Sequence, residues 1–252
     1  MRRFAAEALE RAQEAAFGSA EYVEQESFVR ASEIRTLAER AGIGPDTSVL
    51  DLCCGVAGPG RFLTREFGCT YLGVDASEAS IAIARERSGE LPCRFVVAQV
   101  PPLPRGSFDL VLLLETMLAF REKAPLLEAV SRALRAGGRF AFTLEEGAPL
   151  TESERGRMPA ADTVWLVPLD EMHALLAQAG LAVSWEDDWS ESHLAVAESL
   201  TDAYAADATA IASRIGERAL EELLIAHRQW SRWLAAGRVR KFALVAQATV
   251  PP

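Results

Sequence analysis

Basic residues are outnumbered. Lysine and arginine total 26 against 36 aspartates and glutamates, a net charge of −10 over 252 residues. That balance argues against a nucleic-acid partner, whose affinity rests on cationic contacts to phosphate. Cysteine is sparse as well. Cys53, Cys54, Cys69 and Cys93 have no CxxC or Cys/His ligand spacing, and each lies in or beside an apolar segment. Free buried thiols in a reducing compartment are expected, with no metal site. Apolar runs of membrane-spanning length are missing. Met1, Arg2 and Arg3 are soon followed by Glu7, Glu10 and Glu14, which suits neither a signal nor a transit peptide. A cytoplasmic protein with no membrane partner is expected. Histidine is scarce too: His173, His193 and His227 complete the set.

Half of the residues are hydrophobic, enough for one domain of residues 1–252 with a sizeable core. The most informative stretch is Leu50-Asp51-Leu52-Cys53-Cys54-Gly55-Val56-Ala57-Gly58-Pro59-Gly60-Arg61, an apolar strand, an acid and a glycine-studded turn. Gly55, Gly58 and Gly60 tolerate positive φ, and Cys53 and Ala57 are small enough to keep the turn tight. A helix from about residue 60 aims its first N–H groups at the crevice beyond the strand. A second apolar strand, Tyr71-Leu72-Gly73-Val74-Asp75, ends in a carboxylate about two dozen residues on, the position of a ribose-binding acid; an ordinary strand-end cap is the alternative. The dinucleotide fingerprint Gly-x-Gly-x-x-Gly lacks its first glycine, because Cys53 stands there. Asp51, two residues earlier, suits a ligand that carries positive charge near the loop.

Helical spacing marks residues 4–16 and 27–41, the latter ending at Gly42. Strands at 48–52, 70–75, 94–98, 108–114 and 139–144 alternate with helices at 60–67, 77–87 (capped by Ser77) and 122–135 (ending at Gly137 and Gly138). Such alternation gives a doubly wound parallel sheet. A helix at 169–179 and a strand at 181–185 follow. About fifty helical residues, roughly 191–235, then precede a last strand at 238–248. So long an excursion in a compact domain is usually functional.

The Asp51–Arg61 run resembles motif I of the class I S-adenosylmethionine (SAM)-dependent methyltransferases, and its Gly-Pro-x-Arg tail is similar to the branch acting on small metabolites and natural products. The family usually has glycine where Cys53 and Ala57 stand. The resemblance implies a Rossmann-like seven-stranded sheet, mostly parallel with an antiparallel last strand. It implies a helical lid formed by 191–235, between strands six and seven, with the helices of 1–41; a dimerisation element, hence a homodimer, is the alternative. It also implies SAM as cofactor and a small-molecule methyl acceptor.

On that resemblance Gly55, Ala57 and Gly58 provide close backbone approach beside Cys53, Asp51 faces the methionine amino group, Asp75 holds the ribose and Ala76 borders adenine. Gln99, with Val100, stands where the family has an acid for the adenine amine, or is a loop residue. Tyr22 and Gln25 are expected to close over the cofactor or to pack at a helix start. The segment from Glu115 to Phe120 resembles the family's Glu-Ser-x-x-His, with Ala119 at the histidine position. Glu115 and His193 are therefore the candidates for acid–base work, with Glu115 also able to orient the cofactor. An Asn/Asp-Pro-Pro-aromatic motif of nucleic-acid amino methyltransferases is missing. Trp165, Trp185, Trp189, Trp230 and Trp233 crowd the expected lid and either fill its core or line a substrate site. Two rivals stand beside methyl transfer: a SAM-binding enzyme running another reaction, such as a cyclisation, and a non-catalytic SAM-binding module.

Overall fold

A computed structural model describes residues 3–249. In chain order the elements are α1 (Arg3–Phe17), α2 (Ala31–Arg40), β1 (Ser48–Leu52), α3 (Gly58–Phe67), β2 (Thr70–Asp75), α4 (Glu78–Ser88), β3 (Cys93–Val97), β4 (Phe108–Leu113), α5 (Ala124–Ala133), β5 (Leu134–Glu146), the single turn α6 (Glu152–Arg155), α7 (Leu169–Gln178), β6 (Leu181–Asp188), α8 (Ser190–Ala206), α9 (Ala208–Ile215), α10 (Glu217–Ala235) and β7 (Arg240–Ala248). The seven strands form one sheet in the order β3-β2-β1-β4-β5-β7-β6. Every pairing from β3 to β5 is parallel, and β7 runs antiparallel to both β5 and β6. This is the expected Rossmann-like sheet with its last strand reversed.

Strands buried on both faces read as continuous apolar runs, and β1 and β4 do so. One face packs on α2, α3 and α4 through Ile34, Leu37, Leu63, Ile81 and Ala84. The other packs on α5 and α7 through Leu126, Leu127, Val130, Met172 and Leu176. Pro59 opens α3, where a missing N–H costs nothing, and Gly68 closes it at φ 70°. Ser77 caps α4 by accepting from Ser80 N at 3.1 Å.

Three of the differences from expectation have physical causes in the packing. The helix predicted at 27–41 starts only at Ala31. Upstream, Glu24 adopts φ 61°, and the Gln25 side chain accepts from Val23 N and donates to the carbonyls of Glu21 and Val29. Backbone groups bonded this way favour a folded strap over a helix. The helix predicted at 122–135 ends at Ala133, because Leu134 already pairs with Phe108. At Gly138 a Cβ would press on the carbonyls of Arg135 and Asp109, so that glycine admits β5 to the sheet and does not stop a helix. The excursion at 190–235 is three helices, joined by α1 in a separate apolar cluster of Ala8, Ala12, Phe17, Val196, Leu200, Tyr204, Ile211 and Leu220. Within residues 1–41 only α1 belongs to that layer; α2 lies on the sheet face instead, since Ile34, Leu37 and Ala38 form its buried stripe.

Candidate active site

Two adjoining cavities open at the carboxyl edge of the sheet. The first, about 400 Å³, lies beyond β1 and β2 and is lined by the turn Cys53–Pro59, by Asp51 and Asp75, and by the strap residues Glu24 to Ser27. Gly55 sits at φ 53°, and a Cβ built on it meets nothing within 4 Å, so its free space faces the crevice. Cys53 and Ala57 share that left-handed conformation, each at φ 57°, without a glycine's freedom. The turn therefore keeps the glycine geometry of the family at a steric cost of about 1–2 kcal/mol per residue. Gly58 has another role: a Cβ there would overlap the carbonyls of Val23 and Glu24. It admits the strap.

The acids are placed with care. Asp75 Oδ2 accepts from Gly55 N at 2.8 Å and Oδ1 from Ser77 N at 2.7 Å, which ties the end of β2 to the glycine turn. Asp51 is buried beneath the turn, and Tyr71 donates its hydroxyl to it. Burial pushes the Asp51 carboxyl up to about 7, offset in part by that hydrogen bond and reinforced by Asp75. Five carboxylates line this crevice, Glu24, Glu26, Asp51, Asp75 and Glu115, and among the described residues no lysine or arginine does. A pyrophosphate would find no cation here; a sulfonium and an ammonium find acids. The donor set fits SAM and opposes a dinucleotide.

Of the remaining cofactor candidates, Gln25 lines the crevice as the staple of the strap. Tyr22 does not: its hydroxyl donates to Gln13 Oε1 at 2.9 Å and its ring packs on Phe17, because α1 offers a half-buried acceptor close by. Ala76, Gln99 and Val100 directly follow β2 and β3 at the same sheet edge, but they are not among the residues lining the enclosed crevice. Gln99 is exposed, and Val100 packs on the core.

The second cavity, about 670 Å³, lies between the sheet edge and the helical layer of α1, α8 and α10. Its wall is largely apolar, with Phe28, Leu118, Met158, Val164, Leu200 and Trp230 among the lining residues. Its charged floor comes from three strand ends. Glu115 follows β4 at φ 58°, with its N–H donated to Thr143 Oγ1 at 2.6 Å. Glu145 is near the end of β5, and Lys241 faces it across the β5–β7 ladder. The Lys241 ammonium contacts both carboxylates. Burial opposes ionisation of Glu115, but Lys241 and His193 overcome it and hold its carboxyl below the ordinary range. Burial wins at Glu145, whose carboxyl lies above it.

His193 comes in from α8, 1% exposed, with Nδ1 3.9 Å from Glu115 Oε2 and Nε2 3.7 Å from Glu33 Oε2. Burial lowers it to about 3, against the pull of Glu115, so the ring is neutral. The structure thus brings Glu115 and His193 together at one wall, and Glu115 lines both cavities. His173 lies elsewhere, 2.6 Å from Glu186. Trp165 and Trp185 stack under arginines, and Trp189 and Trp233 are buried; of the five tryptophans Trp230 lines the chamber. Sequence reasoning missed Glu145 and Lys241. The available signal was a lysine within an apolar final strand, in a chain with only two lysines, Lys123 and Lys241.

Residues 49–138 match the model of a methyltransferase domain. Methyltransferase GfsG of Streptomyces halstedii is 32% identical over 168 residues, which cover 62% of this chain and 60% of that protein. The matched segment is a methyltransferase domain, and the chain is similar to the class I SAM-dependent methyltransferases. It spans about 60% of the length of that relative, and less of several others. Among solved structures, phosphoethanolamine N-methyltransferase 2 of Haemonchus contortus, in complex with S-adenosylhomocysteine, superposes with a TM-score of 0.81 at 18% identity, covering 95% of this chain and 57% of that one. The [4+2]-cyclase SpnF superposes at 0.74 and 19% identity, covering 97% and 94%. At these identities the likeness is one of fold. It places this sheet among SAM-binding methyltransferase folds, and no helix of the described residues is long and apolar enough to cross a membrane.

Proposed function

We propose that the chain transfers a methyl group from SAM to an O, N or C nucleophile on a small molecule held in the larger cavity. The observation that carries this reading is Glu115, which with Glu26 and Ser27 lines both the acid-rich crevice and the apolar chamber, so the two cavities adjoin. When bound, SAM supplies an electrophilic methyl and needs no covalent help from the protein, only alignment and exclusion of water. Asp75 is poised for the ribose hydroxyls, Asp51 for the methionine ammonium, the Gly55 turn for close backbone approach, and Ala76, Gln99 and Val100 for the adenine edge. Neutral His193 lies against Glu115, whose charge Lys241 sustains. Apolar walls and the helical layer of α1 and α8–α10 keep water away as a lid.

Mass spectrometry of candidate metabolites incubated with protein and SAM tests this. A gain of 14 Da on an acceptor supports methyl transfer. SAM binding with an altered acceptor of unchanged mass favours a cyclisation-type reaction, as the name of SpnF illustrates for this fold. With His193 held near 3, the pH profile of turnover is expected to lack a limb near 6.5 that His193→Gln removes.

A further inference from the structure

We propose that the chamber selects an acceptor with an apolar body and a hydrogen-bond-donating head, a hydroxyl or an amine, that lands on Glu145, and that it rejects phosphate and carboxylate groups. This rests on the methyl-transfer reading and names the chemistry of its acceptor. Three carboxylates line the chamber, Glu26, Glu115 and Glu145, against one cation, Lys241, and that cation already contacts two of them. The two lining histidines, His193 and His227, are both lowered by burial and carry no charge at neutral pH. Among the described lining residues no cation is free. An anionic group entering this apolar space would lose its water and gain no free cation in exchange.

A donor finds the opposite. Glu145 is 7% exposed; its Oε1 contacts Lys241, while its Oε2 is buried without a hydrogen-bond partner. Buried acceptors of this kind are normally satisfied, so the open position calls for an O–H or N–H. Lys241 fixes the carboxylate, and β5, which carries Glu145, pairs with β4, the strand that leads to Glu115. A head on Glu145 therefore sits beside Glu115, one of the residues shared with the cofactor crevice. At about 670 Å³ the chamber also has room for a body of drug-like size, more than a two-carbon amine or an amino acid fills.

Four rigid probes on one cage separate these terms: 1-adamantanol, 1-adamantylamine, adamantane-1-carboxylate and 1-methoxyadamantane, each titrated calorimetrically into the full chain with S-adenosylhomocysteine present. The alcohol, the amine or both are expected to bind at least about tenfold tighter than the carboxylate and the ether. A tighter alcohol identifies a neutral head and a tighter amine a cationic one. Glu145→Gln should reduce that preference by about fivefold or more while S-adenosylhomocysteine affinity stays within about twofold. The wild-type preference alone decides the matter should the variant not fold. Carboxylate binding as tight as alcohol and amine, or no probe binding while S-adenosylhomocysteine binds, overturns the proposal. Failure of the nucleoside itself to bind would instead contradict the methyl-transfer reading beneath it.

Discussion

At Gly55 and Gly58, three residues apart in the same turn, one added methyl has opposite consequences. A Cβ at Gly55 points into open crevice, whereas one at Gly58 strikes the strap's carbonyls. Gly55→Val is expected to abolish SAM binding while circular dichroism stays native. Gly58→Ala is expected to cost about 1–3 kcal/mol of stability, read from denaturant unfolding, because backbone must move to make room. Asp75→Ala removes a carboxylate that also holds Gly55 N, and calorimetry should show SAM binding weakened by about 1.5–3 kcal/mol. Asp51 adds a pH signature. Its carboxyl is raised from 3.8 to about 7, so the folded protein holds a proton that the unfolded chain releases. That group's contribution to stability is thus full in acid, declines as pH rises between those values, and is constant above. A cationic ligand favours the ionised form. Binding of SAM at about pH 6 should therefore release up to about one proton, measured by calorimetry in buffers of different ionisation enthalpy, and Asp51→Asn should abolish the release.

Among the elements, the strap between α1 and α2 departs most from local expectation. Its helical periodicity is real, yet Gln25 bonds the backbone groups a helix would use, and Glu24 in the left-handed region turns toward α3 and α4. There Glu24 meets Arg61, 2% exposed, at 2.8 Å, and also Arg87, which reaches Glu10 of α1 at 2.6 Å. Glu24→Gln leaves the Arg61 charge buried with a weaker partner. A loss of about 1–2 kcal/mol is expected by chemical denaturation, less than for a fully buried pair because Glu24 is more than a third exposed. The β-strands, by contrast, were legible to within a few residues, since strands buried on both faces announce themselves as apolar runs between turn residues. The strap was not, because its conformation is fixed by contacts with Arg61 and Arg87, 37 and 63 residues away.

Across the whole molecule, the turn and acids that line the smaller crevice could be read from sequence because they are local: a strand, a turn and an acid at the next strand's end. The larger chamber could not. Its floor gathers Glu115, Glu145, His193 and Lys241 from β4, β5, α8 and β7, and only the sheet order makes them neighbours. Tyr22 illustrates the converse, since it is close in sequence to the strap yet committed to Gln13. The most direct test is calorimetric titration of the full chain with SAM, with Gly55→Val as control. One-to-one binding, lost in the variant while its fold persists, is the predicted result; no heat of binding up to millimolar SAM in the wild-type chain would contradict the account.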